Sequence, residues 1–87
     1  MKPVLMFTME TCPYCKQAFK WMDELCEEKK KYSEVEVTVI DENLQPEVAK
    51  QYDYYYVPTY FVDGIKVHEG VPTKDIVRNV LEKALED

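Results

Sequence analysis

The sequence is 87 residues long, 46% hydrophobic and 32% charged, with a net charge of −6 and a pI near 4.7. That length suits a single domain spanning 1–87, and the acidic balance argues against a nucleic-acid partner, whose phosphates it would repel. No apolar run reaches the roughly 18–20 residues that a membrane-spanning helix needs, and no repeat or low-complexity tract interrupts the chain.

The opening MKPVLMF is short, is soon followed by Glu10 and lacks a small-residue cleavage site, so it reads as a strand and not as a signal peptide. Within it, Val4 to Thr8 (VLMFT) is a buried strand. After Pro13, KQAFKWMDELCEEKKK spaces Ala18, Met22, Leu25 and Cys26 three and four residues apart. That spacing predicts a helix with one apolar face, and the lysines gathered at its end suit the negative pole of the macrodipole. Val35 to Ile40 (VEVTVI) alternates and is β-branched, so a second strand is expected there. DENLQPEVAKQY reads as a second helix, capped by Asp41 or Asn43, with Pro46 in its first turn.

Thr59 to Val62 and Ile65 to Glu69 flank Asp63-Gly64, a pair that closes a tight hairpin. Thr73 and Asp75 then open TKDIVRNVLEKALED, whose Ile76, Val77, Val80, Leu81 and Leu85 form a last amphipathic face. The order is βαβαββα, which predicts an α/β fold with a central four-stranded mixed sheet flanked by three helices.

Chemistry concentrates in TCPYCK, residues 11–16. Cys12 follows the first strand at the start of the first helix, where free N–H groups and the dipole favour a thiolate. Pro13 pre-sets the first turn and Lys16, one turn on, adds positive potential. An ordinary thiol is only about 3% ionised at pH 7, whereas one lowered to a pKa of about 6 is roughly 90% ionised. Cys15 lies on the same helix, within disulfide reach. The expected division of labour is attack by Cys12 and resolution by Cys15. A structural pair or half of a zinc site is the alternative, but zinc needs about four ligands and only Cys26 and His68 are left to supply them. Cys26 lies about 16 Å further along the helix, beyond the roughly 7 Å that a disulfide tolerates, and reads as a core cysteine. Three cysteines in all fit a reducing, cytoplasmic setting better than a disulfide-stapled secreted domain.

CPYC between a strand and a helix resembles the active site of dithiol glutaredoxins, in the thioredoxin superfamily. Val57-Pro58-Thr59 stands where that superfamily places a cis-proline loop facing the two cysteines. The resemblance implies that the Val57 backbone pairs with a substrate strand and that Pro58 keeps the sulfurs clear of metal. Tyr14, which lies between the cysteines, is a further candidate substrate contact, and with Tyr56, Val57, Pro58 and Thr59 it makes up the expected substrate-binding set. Two glutaredoxin features differ: Met9 stands where a lysine holds the glutathione carboxylate, and Gly70 stands alone where a double glycine is usual. From Ile40 onward the chain is similar to the second half of thioredoxins.

Smaller signals have ordinary explanations. The cluster Tyr52, Tyr54, Tyr55 and Tyr56 suits rings buried at a sheet edge with wet hydroxyls, with Tyr56 as a candidate substrate contact. Trp21 suits helix packing, His68 an exposed strand position, and EEKKK at 27–31 a solvated helix end. The expectation is a monomeric thiol–disulfide oxidoreductase with no bound cofactor and no metal, acting on disulfide-bearing proteins or small thiols. Its electrons would come from glutathione, or from NADPH through thioredoxin reductase. An iron–sulfur or metal-carrier module and a non-catalytic interaction domain are the rival classes.

Overall fold

In the computed structural model, which describes residues 1–86, the buried run VLMFT forms strand β1 (Val4–Thr8). Helix α1 (Pro13–Glu28) follows, and it stops before the lysines. Lys29 is extended (φ −141°, ψ 118°), and Lys30 and Lys31 begin a separate turn, α2 (Lys30–Ser33). The expected basic helix end is therefore absent. A straight continuation would carry Tyr32 about 10 Å beyond Leu25; the break turns the Tyr32 ring into the core instead.

Strand β2 (Val37–Asp41) starts two residues later than expected, and Val35 is buried ahead of it. The second helix shrinks to one turn, α3 (Pro46–Ala49), with Pro46 at its start but Gln45 as N-cap. Asp41 does not cap it. Its Oδ1 accepts from the N–H groups of Asn43 (2.8 Å) and Leu44 (3.3 Å), closing a local turn that competes with helix. Strands β3 (Thr59–Val62) and β4 (Ile65–Glu69) have the expected bounds, joined by Asp63 and Gly64 at φ 52° and 80°. Both positive values are what a tight hairpin of this twist requires, and Asp and Gly tolerate them. Helix α4 (Lys74–Leu85) is capped by Thr73, whose hydroxyl accepts from Ile76 N–H at 3.1 Å. Asp75 sits in the first turn, paired with Arg78 instead of capping.

The sheet order is β2-β1-β3-β4, with β1 parallel to β2 and antiparallel to β3. Side chains alternate across it. Val4, Met6, Tyr60 and Val62 face α1 and α4, where Ala18, Leu25, Val77, Val80, Leu81 and Ala84 complete a core. Ile76 and Leu85, expected in that face, are only half-buried, and Ala84 takes the inner position. Phe7, Ile40 and Phe61 face the other way, toward Val48, Ala49, Tyr52 and Tyr54. The central pair β1 and β3 thus carries both cores, and its registered partners include Phe7 and Thr59.

Candidate dithiol site

The site forms where the end of β1 meets the start of β3. Cys12 is the N-cap of α1 (φ −86°, ψ 113°) and makes no side-chain cap bond. Its N–H donates to Met9 O at 3.2 Å, and its carbonyl accepts from Lys16 N–H at 3.3 Å. Pro13 fits the first turn because the N–H it lacks would have had no helical partner. Pro13 and Lys16 are both exposed.

Cys12 is 9% exposed and Cys15 only 1%, and both are free thiols. The two cysteines are neighbours, and Cys15 is also approached by the Thr8 hydroxyl and the Met9 backbone N–H. Burial pushes the Cys15 thiol above its usual range. The donors from Thr8 and Met9 oppose that rise, and the neighbouring Cys12 reinforces it. Tyr60, buried beneath, is pushed upward by burial and then by charge on Cys15, and its O–H donates to Met22 Sδ at 3.3 Å.

Across from the cysteines, the Val57–Pro58 peptide bond is cis. Cys12 Sγ lies 3.7 Å from the Val57 carbonyl oxygen, the contact that joins the two halves of the site. Pro58 is buried and its carbonyl accepts from Gly70 N–H at 3.0 Å. Thr59 is fully buried and its hydroxyl donates to the Tyr56 carbonyl, so its side chain shapes the loop and does not face a substrate. Tyr14, between the cysteines, is exposed.

The tyrosines divide into two pairs. Tyr52 and Tyr54 pack on Phe7, with ring centroids 5.1 and 4.7 Å away, and Tyr54 O–H donates to Glu42 Oε1 at 2.9 Å. Tyr55 and Tyr56 stand out to solvent, 85% and 70% exposed. His68 is half-buried, contrary to the expected exposed position, because its Nε2 lies 3.0 Å from Gly70 O. Trp21 packs against the α1–α4 core. Cys26 is half-buried against the same core, where burial and then Asp23 push its thiol upward.

Two residues at the site escaped the motif reading. Thr8 was seen only as a strand end, although a hydroxyl closing an otherwise apolar buried run signals a partner to be satisfied. Glu69 was seen only as the end of a hairpin strand. Among the described residues, no cluster of three or more His, Cys, Asp or Glu is placed to hold a metal ion, and no helix is long and apolar enough to cross a membrane.

A family model described as a thioredoxin domain matches residues 4–82. The chain is 32% identical over 80 residues to a thioredoxin of Methanocaldococcus jannaschii, covering 92% of each chain. It is 30% identical over 81 residues to a probable thioredoxin of Methanothermobacter thermautotrophicus, again covering 92% of each. In three dimensions it superposes on the oxidised thioredoxin of Plasmodium falciparum with a TM-score of 0.71 at 21% identity, covering 94% of this chain and 79% of that one. A Fasciola hepatica thioredoxin superposes equally well, with a TM-score of 0.71 at 21% identity, over 95% and 80% of the two chains. At these identities the superpositions carry the fold alone.

Proposed function

The chain belongs to the thioredoxin family, and we propose that it is a thiol–disulfide oxidoreductase working by dithiol exchange. The observation that carries this reading is the placement of Cys12, at the N-terminus of α1 and 3.7 Å from the Val57 carbonyl of the cis-proline loop.

The chemistry follows from the two environments. Cys12 is the more accessible sulfur and sits at the positive end of the α1 dipole, so it is the attacking group. As a thiolate it attacks one sulfur of a substrate disulfide; that S–S bond breaks, the departing sulfur takes a proton, and a mixed disulfide to Cys12 forms. Cys15, buried and protonated at rest, loses its proton and attacks the Cys12 sulfur. The second substrate thiol is released and the Cys12–Cys15 disulfide remains. Two electrons have then passed to the substrate. An extended substrate segment lying along the Val57 backbone would bring its disulfide to Cys12, with Tyr14 and Tyr56 flanking it.

The electrons return either from two glutathione molecules or from NADPH through thioredoxin reductase. The thioredoxin relatives and Met9 in place of a glutathione-binding lysine favour the reductase, and the CPYC pair favours glutathione. Thioredoxins have potentials near −270 mV and glutaredoxins about −200 to −230 mV; with no buried acid among the described residues beside CPYC, the higher range is expected. Suitable partners are disulfide-bearing proteins in a reducing compartment such as the cytoplasm, met by the protein as a monomer.

The test starts from the Cys12–Cys15 disulfide and follows NADPH consumption with thioredoxin reductase, and separately with glutathione plus glutathione reductase. Turnover with either establishes the activity and identifies the donor. No turnover with both, together with no reduction of a protein disulfide by the dithiol form, refutes the proposal.

A further inference from the structure

Between Ala49 and Thr59 the chain has no regular element, yet this stretch must deliver Val57 to Cys12 with ångström accuracy. Side chains from β4 supply the missing order. Glu69, whose side chain is 19% exposed, turns its Oε2 onto the consecutive N–H groups of Tyr55 and Tyr56, the latter at 2.9 Å. Its Oε1 accepts from Lys66 Nζ at 2.7 Å, and the same Nζ donates to the Asp53 carbonyl at 3.2 Å. One ion pair on one strand thus grips the loop at Asp53, Tyr55 and Tyr56. Two successive backbone N–H groups aimed at one oxygen are an anion cradle, filled here by the chain's own carboxylate. Consistent with that, Lys66 and then the two N–H groups hold the Glu69 carboxyl down to about 2.

We propose that Glu69 is a positioning residue of the dithiol site. Seated on the Tyr55 and Tyr56 amides and tied through Lys66 to Asp53, its carboxylate holds the loop before Pro58, so that the Val57 backbone stays beside Cys12. This rests on the dithiol-exchange reading above and deepens it. Cys12 supplies the reacting atom, and Glu69 shapes the surface on which a protein disulfide must lie. It touches neither sulfur, so its effect belongs to docking more than to bond exchange, and it should be read in KM more than in kcat. The nearby ties, Thr59 to the Tyr56 carbonyl and Gly70 to the Pro58 carbonyl, hold the loop from the β3 side and, among the described residues, leave the outer amides to Glu69.

The experiment compares wild type, Glu69→Ala and Glu69→Gln by amide hydrogen exchange and by steady-state reduction of insulin. Removing the carboxylate should raise exchange at Tyr55 and Tyr56 about tenfold or more, and lower kcat/KM about tenfold, mainly through KM. Glu69→Gln keeps an oxygen acceptor without the charge and should fall between. Added formate, against chloride at equal ionic strength, should reoccupy the cradle of Glu69→Ala and recover both readouts, which a merely destabilised fold would not do. Unchanged amide protection overturns the proposal. So do lost protection with unchanged kcat/KM, and failure of formate to restore either. A wild type that reduces no disulfide overturns the functional reading and this proposal with it. An active wild type matched by Glu69→Ala overturns the proposal alone.

Discussion

Replacing Thr8 by valine removes a hydroxyl while keeping the side chain's branched shape, and the loss falls on one step, the attack of Cys15 on Cys12. Thr8 is almost fully buried, and its hydroxyl stands beside Cys15, where it lowers that thiol against the rise from burial. Burial already pushes that thiol upward from 9.0, so the thiolate needed for resolution is scarce at neutral pH. A hydrogen bond to a charged group contributes about 1.5–3 kcal/mol, so losing it cuts the Cys15 thiolate population about 10- to 150-fold. Part of this is recovered, because a more basic thiolate is a better nucleophile, with a Brønsted slope of about 0.4–0.5. The net expectation is a resolution step about 3- to 20-fold slower, with its alkaline rise displaced to higher pH. A mixed disulfide with a chromophoric thiol, followed by stopped flow from pH 6 to 10, measures both. An unchanged profile, or one displaced to lower pH, would show that the Thr8 hydroxyl does not stabilise the Cys15 thiolate.

Cys12→Ser should abolish disulfide reduction, whereas Cys15→Ser should accumulate the Cys12–substrate adduct, visible as an intact mass increase. Adduct formation at Cys15 in the Cys12→Ser protein would reverse the assigned roles. The reduced protein should lose stability in alkali: Cys15 is raised above its ordinary 9.0 in the fold, so its contribution is complete below that value and disappears as pH rises through the folded pKa. Denaturant midpoints of the dithiol form should fall above pH 9 while those of the disulfide form stay flatter, and parallel curves would contradict the assignment. Leu25→Ala, at a fully buried α1 position facing α4, should cost about 2–5 kcal/mol and lower Tm by about 10 °C or more. A loss under about 1 kcal/mol by chemical denaturation would mean the α1–α4 contact is loosely packed.

The sequence marked β1, β3 and β4 to the residue, because each is an apolar or β-branched run bracketed by turn formers. It did not mark where α1 stops. EEKKK has good helix propensity throughout, and the break at Lys29 is set by the core's demand for Tyr32. The one-turn α3 was overestimated for the opposite reason, since Asp41 spends its side chain on a turn. At the site, CPYC and Val57-Pro58 were visible as motifs. Glu69 was not, because its partners lie 13 and 14 residues earlier and meet it only after β3 and β4 pair. Thr8 was hidden likewise, since its place beside Cys15 depends on how α1 leaves β1.

The register of β1 with β3 also separates the molecule into two ends with different tolerances. The cysteine loop leaves one end of this pair, where Phe7 faces Thr59, and the Asp63-Gly64 hairpin leaves the other, where Val4 faces Val62. Five strand residues, about 16 Å of sheet, lie between them. Asp63 N–H is tied to Pro3 O at 2.9 Å, and both hairpin residues are exposed. A reporter or affinity peptide grafted between residues 63 and 64 would therefore leave the dithiol and its loop in place, which makes that hairpin the natural handle for capturing disulfide-linked partners on a solid support.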